Sequence, residues 1–257
     1  ALKTSGWNDR NYTGIGTNNS VLYFDGSSWL QVANNAAFDI SGTTTNFAYE
    51  AWVYCTSLAD ERSIFGDESD SERISLRVDT SGKLTLAIAN ASGTWQTGLG
   101  RDTGVKGGTT GGTGTDYDSA VSAISLNKWH YVCLYTSGSP KSVINVAVDG
   151  ELYIKVSSVT FGHRGHATYL RIGSWGSGYD TPWVGFMDDI KIHVGYANDT
   201  WTANTVIQRY MNGRAGVYNT ANSSLKLWIK SDTATYGDTT FTDSSATGVA
   251  ITRYKNM

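Results

Sequence analysis

Three carboxylates stand at alternate positions in Glu68-Ser69-Asp70-Ser71-Glu72. Alternate side chains of an extended strand share one face. There a nucleophile and an acid/base about 5 Å apart, with Asp70 tuning the pair, would meet the requirement of retaining glycoside hydrolysis. The serines argue against it. Two hydroxyls cannot bury the opposite face of a strand, so the segment is expected to be a solvated acidic loop, and the chain is not expected to be an enzyme. A second cluster lies in Gly173-Ser-Trp175-Gly-Ser-Gly-Tyr179-Asp180-Thr-Pro-Trp183, three aromatic rings set among glycines. Sugar rings stack their C–H faces on such rings, and Asp180 could accept hydroxyl hydrogen bonds. Trp95 and Tyr117 could join from a Gly-rich stretch. The alternative is that these rings close one end of the fold or meet a neighbouring subunit.

Other chemistry finds little support. His163-Arg-Gly-His166 lacks a third ligand at metal-binding spacing and reads as a solvated loop. No Ser/His/Asp or Cys/His constellation emerges from spacing, and His130 and His193 read as hydrogen-bonded residues on strands. Cys55 and Cys133 lie on two expected strands, either disulfide-linked as neighbours or as two buried thiols.

The elements that must position these residues are strands. Residues 129–135, Trp-His-Tyr-Val-Cys-Leu-Tyr, are dense in aromatic and β-branched types. Residues 143–148 and 152–156 follow, with Asp149-Gly150 between them, the dipeptide best suited to two consecutive positive φ values. Residues 184–194 alternate Phe186, Asp188, Ile190 and Ile192 against Met187, Asp189, Lys191 and His193, which puts one carboxylate on each face. Residues 47–55 carry bulk on both faces, the mark of a central strand covered on both sides. Shorter strands are expected at 21–24, 29–32, 63–65, 74–78, 84–89 and 225–229, with a last one at 241–252. The Gly-rich stretch 97–118 reads as a long flexible loop, without the Gly-Lys-Ser/Thr ending of a phosphate cradle. Val206, Ile207, Tyr210 and Met211 fall at helical spacing, with Gly213 where a helix would stop.

These pieces together resemble the laminin G-like, concanavalin A-like jelly-roll family. Trp129-His-Tyr-Val132 precedes a hairpin closed by Asp149-Gly150, and Gly185-Phe-Met-Asp-Asp-Ile-Lys-Ile192 supplies the late strand. Leu22-Tyr-Phe-Asp-Gly26 and Phe47-Ala-Tyr-Glu-Ala-Trp-Val53 supply the early pattern. The resemblance implies an all-β fold, an antiparallel two-sheet β-sandwich with one short helix. It implies little about function, since such sandwiches host lectins, glucanases and inert modules. Glucanases of the superfamily carry Glu-x-Asp-x-Glu on one strand, the spacing of residues 68–72, but with apolar residues where Ser69 and Ser71 stand. Related sandwiches hold a structural Ca²⁺ through an Asp at the place of Asp188 and carbonyls near the first strands, here Gly26. Alternatively Asp188 or Asp189 bonds to backbone or pairs with Arg171 or Lys191.

Composition suits this fold. The chain has 257 residues with 29 Gly and only 2 Pro, consistent with one large domain of short strands and tight turns. A net charge of −3 without a basic cluster argues against nucleic acid, and no apolar run reaches the roughly 18 residues of a spanning helix. The expected organisation is an arm at 1–20, a sandwich at 21–200, and a helix with closing strands at 201–257. The tail phrase Thr239-Thr-Phe-Thr-Asp-Ser-Ser245 resembles what often opens a laminin G-like unit. It either completes this chain's own sandwich beside residues 21–24 or is donated to another copy. Chains with this phrase look like virion-associated proteins. The resemblance therefore implies a non-catalytic module of a virion or extracellular surface, in a fibre, decoration or adhesion protein. Its partners would be copies of itself, other assembly proteins or surface glycans.

Overall fold

The structure is a computed structural model. It describes residues 2–4, 20–33, 35–38, 40, 46–67, 74–88, 100–101, 116–137, 143–157, 159, 170–175, 181–196, 201–214, 224–229, 240–241 and 243–255. In chain order the strands are β1 (Leu2–Thr4), β2 (Ser20–Asp25), β3 (Ser28–Val32), β4 (Asn46–Cys55), β5 (Arg62–Asp67), β6 (Ile74–Val78), β7 (Leu84–Ile88), β8 (Gly100–Arg101) and β9 (Asp116–Asp118). After them come β10 (Trp129–Ser137), β11 (Val143–Val148), β12 (Glu151–Ser157), β13 (Leu170–Ile172), β14 (Val184–Tyr196), helix α1 (Ala203–Arg214), β15 (Leu225–Ile229), β16 (Thr240–Phe241) and β17 (Ile251–Lys255).

Among the described residues these strands form two antiparallel sheets. The first runs β1-β2-β14-β4-β10-β11-β12-β8 with β15 also on β14, and the second runs β16-β17-β3-β13-β5-β6-β7-β9. Alternation explains the layer between them, which takes Ile74, Leu76 and Val78 from β6 and Leu84, Leu86 and Ile88 from β7. They meet Phe47, Tyr49, Ala51 and Val53 from β4. The other face of β4 is buried as well, so that all ten of its residues are enclosed. Trp52 and Tyr54 join Trp129, Tyr131, Phe186 and Trp201 in a second apolar cluster, over which α1 lies. Tyr210 of α1 stacks on Trp52 at 5.9 Å and on Tyr131 at 6.4 Å between ring centroids. Thr202 caps the helix by accepting the Thr205 N–H at 3.2 Å, as N-cap hydroxyls do.

Several expectations need correction. The β11–β12 turn at Asp149 (φ 53°) and Gly150 (φ 85°) is as the sequence predicts, but β14 does not alternate strictly. A bulge between Asp188 and Lys191, with Asp189 at φ 50°, shifts the phase by one residue. Ile190 and Ile192 therefore enter the inter-sheet core, whereas Phe186 lies in the outer cluster. The bulge also marks a change of neighbour, since β14 pairs β2 through Met187 and β15 from Ile190 onward. The helix ends at Arg214, one residue past Gly213, and lies on a sheet face. Gly213 abuts the indole of Trp52, where an added Cβ would come within 2.7 Å of Nε1.

The stretch read as one loop contributes β8, paired to β12, and β9, paired to β7, and Tyr117 is buried in the core. The three-residue β13 has no strong sequence signal. At the tail, β17 pairs β3 rather than strand 21–24, and β15 pairs β14, so these strands join the chain's own sheets. In the arm, β1 pairs β2. Both cysteines are buried and free. Cys55 faces the inter-sheet core and Cys133 the outer cluster, so the sheet itself separates the two thiols.

Candidate functional site

The aromatic loop divides between two environments. Trp175 is half-buried beside Arg77, which points away from the core because Leu76 and Val78 point into it. The Arg77 guanidinium lies 4.8 Å from the Trp175 ring centroid and donates to Glu61 Oε2 at 2.8 Å. Gly66 of β5 makes the approach feasible, because a Cβ there would come within 2.3 Å of the Trp175 Cβ. A cation held on an aromatic face fixes the ring by roughly 0.5–1 kcal/mol or more. On the same face Arg171 of β13 is 1% exposed and covers Trp29 at 5.7 Å.

Trp183 lies elsewhere. It is 0% exposed and belongs to the inter-sheet core. Its backbone N–H donates to the Gly173 carbonyl at 2.9 Å and its carbonyl accepts the Gly26 N–H at 3.1 Å. A ring without an exposed face offers no stacking surface, so Trp183 is a closing plug and does not share a platform with Trp175. Tyr179, Asp180 and Trp95 lie outside the described residues, as do Glu68, Asp70, Glu72, His163 and His166.

The expected calcium pair is not brought together. Val184 pairs with Asp25 and Met187 with Leu22, which puts Asp188 five residues beyond Trp183, the residue next to Gly26, roughly 17 Å at the rise of a strand. Asp188 Oδ1 accepts the Asp189 N–H at 2.8 Å. Among the described residues no group of three or more His, Cys, Asp or Glu side chains could hold a metal ion.

The structure instead reveals a charged cluster beneath α1. Glu50 of β4, 3% exposed, accepts from Arg209 Nε at 3.0 Å and from Nη2 of the same guanidinium at 2.5 Å. It also pairs with His193 Nε2 at 3.1 Å and accepts the Tyr131 hydroxyl. Burial alone would raise the Glu50 carboxyl, yet Arg209, Lys191 and His193 together hold it well below the usual carboxylate range. Burial lowers His193 and, with the Glu50 charge, raises Tyr131. Arg209 also covers the Trp201 ring at 4.4 Å. Next to this cluster, Asp189 accepts Lys191 Nζ at 2.6 Å and Trp228 Nε1 at 2.7 Å. These contacts clamp the helix and β15 to the sheet. Sequence reasoning missed Arg209, and its place on the helical face of Tyr210 and Val206 was the only available signal. His130 fits its expected role on a strand, bridging Ser125 and Asp149.

Comparisons agree with this architecture. The model of the concanavalin A-like lectin/glucanases superfamily, in its laminin G form, matches residues 24–201, more than half of the chain. No curated protein sequence matches it. Among solved structures, a candidate carbohydrate-binding protein of Bacteroides ovatus aligns with a TM-score of 0.64 at 17% identity, over 91% of this chain and 57% of that one. This chain therefore spans little more than half of that protein. Domain 4 of the extracellular arabinanase AbnA from Geobacillus stearothermophilus, in complex with arabinotriose, aligns at 0.50 with 13% identity, over 81% and 80% of the two chains. The CBM40 of the Ruminococcus gnavus IT-sialidase, bound to α2,3 sialyllactose, aligns at 0.50 with 12% identity, over 73% and 94%. At these identities the likeness is one of fold. With its two antiparallel sheets, its late Gly-x-x-Asp-Asp strand and its Asp-Gly hairpin, the chain belongs to the laminin G-like family of the concanavalin A-like superfamily.

Proposed function

We propose that this chain is a glycan-binding module that does not hydrolyse glycosides, displayed on an extracellular or virion surface as part of a fibre, decoration or adhesion protein. The observation that carries this reading is Trp175, a half-buried indole braced by the Arg77 guanidinium at 4.8 Å on the outer side of the second sheet. Arg77 covers one face of the ring, and the opposite face is the one that would stack on a pyranose. The sugar-bound arabinanase domain and CBM40 share this fold and support the ligand class. The virion setting rests on the tail phrase.

The test is a glycan array followed by titration of tryptophan fluorescence. At least one glycan should quench the emission, and Trp175→Ala should weaken its binding about tenfold, the equivalent of 1.4 kcal/mol. An array without binders, or a glycan bound equally by Trp175→Ala, overturns the reading. Hydrolysis of a β-glucan by the wild type that is lost in Glu68→Gln would replace it with a glucanase.

A further inference from the structure

The turn that leads into β10 holds a constellation that the sugar surface does not use. Ser125 Oγ lies 2.9 Å from His130 Nε2, and His130 Nδ1 lies 2.8 Å from Asp149 Oδ2. The other oxygen of Asp149 accepts the Tyr131 backbone N–H at 2.9 Å. His130 is 4% exposed, whereas Ser125 is exposed to solvent. A carboxylate only accepts, so Nδ1 carries the proton and the one Nε2 lone pair faces Ser125, shared between its hydroxyl at 2.9 Å and its backbone N–H at 3.1 Å. The result is an accessible hydroxyl, an enclosed base and an orienting group fixed by backbone, the arrangement by which serine nucleophiles are activated. Asp149 takes its place because the tight turn holds it at φ 53°.

The geometry assigns to Ser125 the role of a nucleophile toward activated carboxylic esters, with His130 as its base and Asp149 as a positioning residue. As Oγ bonds to the carbonyl carbon, its proton passes to Nε2. The carbon–oxygen bond to the leaving group then breaks, the proton moves from Nε2 to that oxygen, and an alcohol departs from acyl-Ser125. Water deprotonated by Nε2 cleaves the acyl-serine to a carboxylic acid and restores the hydroxyl. The Ser125 backbone N–H points at Nε2 from 3.1 Å and is not free to stabilise an oxyanion. Acylation by good leaving groups is therefore expected, with slow deacylation, so the acyl-serine accumulates.

The full chain treated with p-nitrophenyl acetate, and separately with a fluorophosphonate, is followed by intact mass and peptide mapping. The expected result is a single adduct on Ser125, absent in Ser125→Ala and formed roughly 10²-fold more slowly in Asp149→Asn. Asparagine tolerates positive φ, so that variant should keep the wild-type unfolding midpoint, which a purely structural contact would not separate from labelling. No adduct, an adduct elsewhere, or equal labelling of Asp149→Asn overturns the assignment. Ser125→Ala lies on an exposed turn, keeps the fold, and decides alone should Asp149→Asn unfold.

Discussion

Glu50 carries a charge in the middle of a strand that is buried throughout, and that charge is tolerated because Arg209, His193 and Tyr131 converge on it. Removing one partner of a buried pair leaves the other without compensation. Glu50→Gln should therefore lose about 3–5 kcal/mol, measured by urea unfolding. The cluster also sets a pH dependence. Burial lowers His193, and the surrounding cations overcome burial to lower Glu50, so at both sites the folded chain binds fewer protons than the unfolded chain. Their stabilisation is full above the unfolded histidine value of about 6.5 and declines as pH falls, first through His193 and then, below about 4.3, through Glu50. The slope of urea midpoint against pH between about 6.5 and 5 should be shallower in His193→Gln. The sequence marked His193 only as a hydrogen-bonded strand residue, and the rest was not legible because the partners of Glu50 lie 81, 143 and 159 residues away. Trp175 and Trp183 posed a similar difficulty. Both are indoles set close to glycines, and only the packing of the second sheet makes one a surface group and the other a plug.

At the scale of elements, α1 tests how local preference competes with packing. An alanine in place of a glycine gains about 1 kcal/mol in a helix interior and less in the last turn, where Gly213 stands next to the final residue Arg214. At Gly213 the added carbon would press on the Trp52 indole at 2.7–2.8 Å, and overpacking of a filled site costs about 1–3 kcal/mol. Gly213→Ala should thus lower the unfolding midpoint despite its better helix propensity, as a thermal melt followed by circular dichroism would report. Hairpin β11–β12 was readable because Asp149-Gly150 suits one turn geometry. The phase shift in β14 was not, since a one-residue bulge depends on a positive φ at Asp189 and on the exchange of β2 for β15 as neighbour, neither of which alternation records.

At the scale of the molecule, the two-sheet architecture was legible from four motifs in order through the family they resemble, whereas alternation and tight turns alone marked only the strands. Which strand closes which edge was not, since β17 could meet strand β2 or β3 with similar patterning, and register across sheets is decided by the assembled core. The closure matters because an unpaired β3 would be an edge open to other chains, and β17 covers it. A last consequence concerns β4, enclosed between the inter-sheet layer and the aromatic layer beneath α1. Its amides are bonded to β10 and β14 and covered on both faces, so deuterium uptake along Asn46–Cys55 should be the slowest in the chain and should track global opening. The short strands β8 and β9 should exchange far sooner through local fraying, and mass spectrometry of the peptides from each would show the difference.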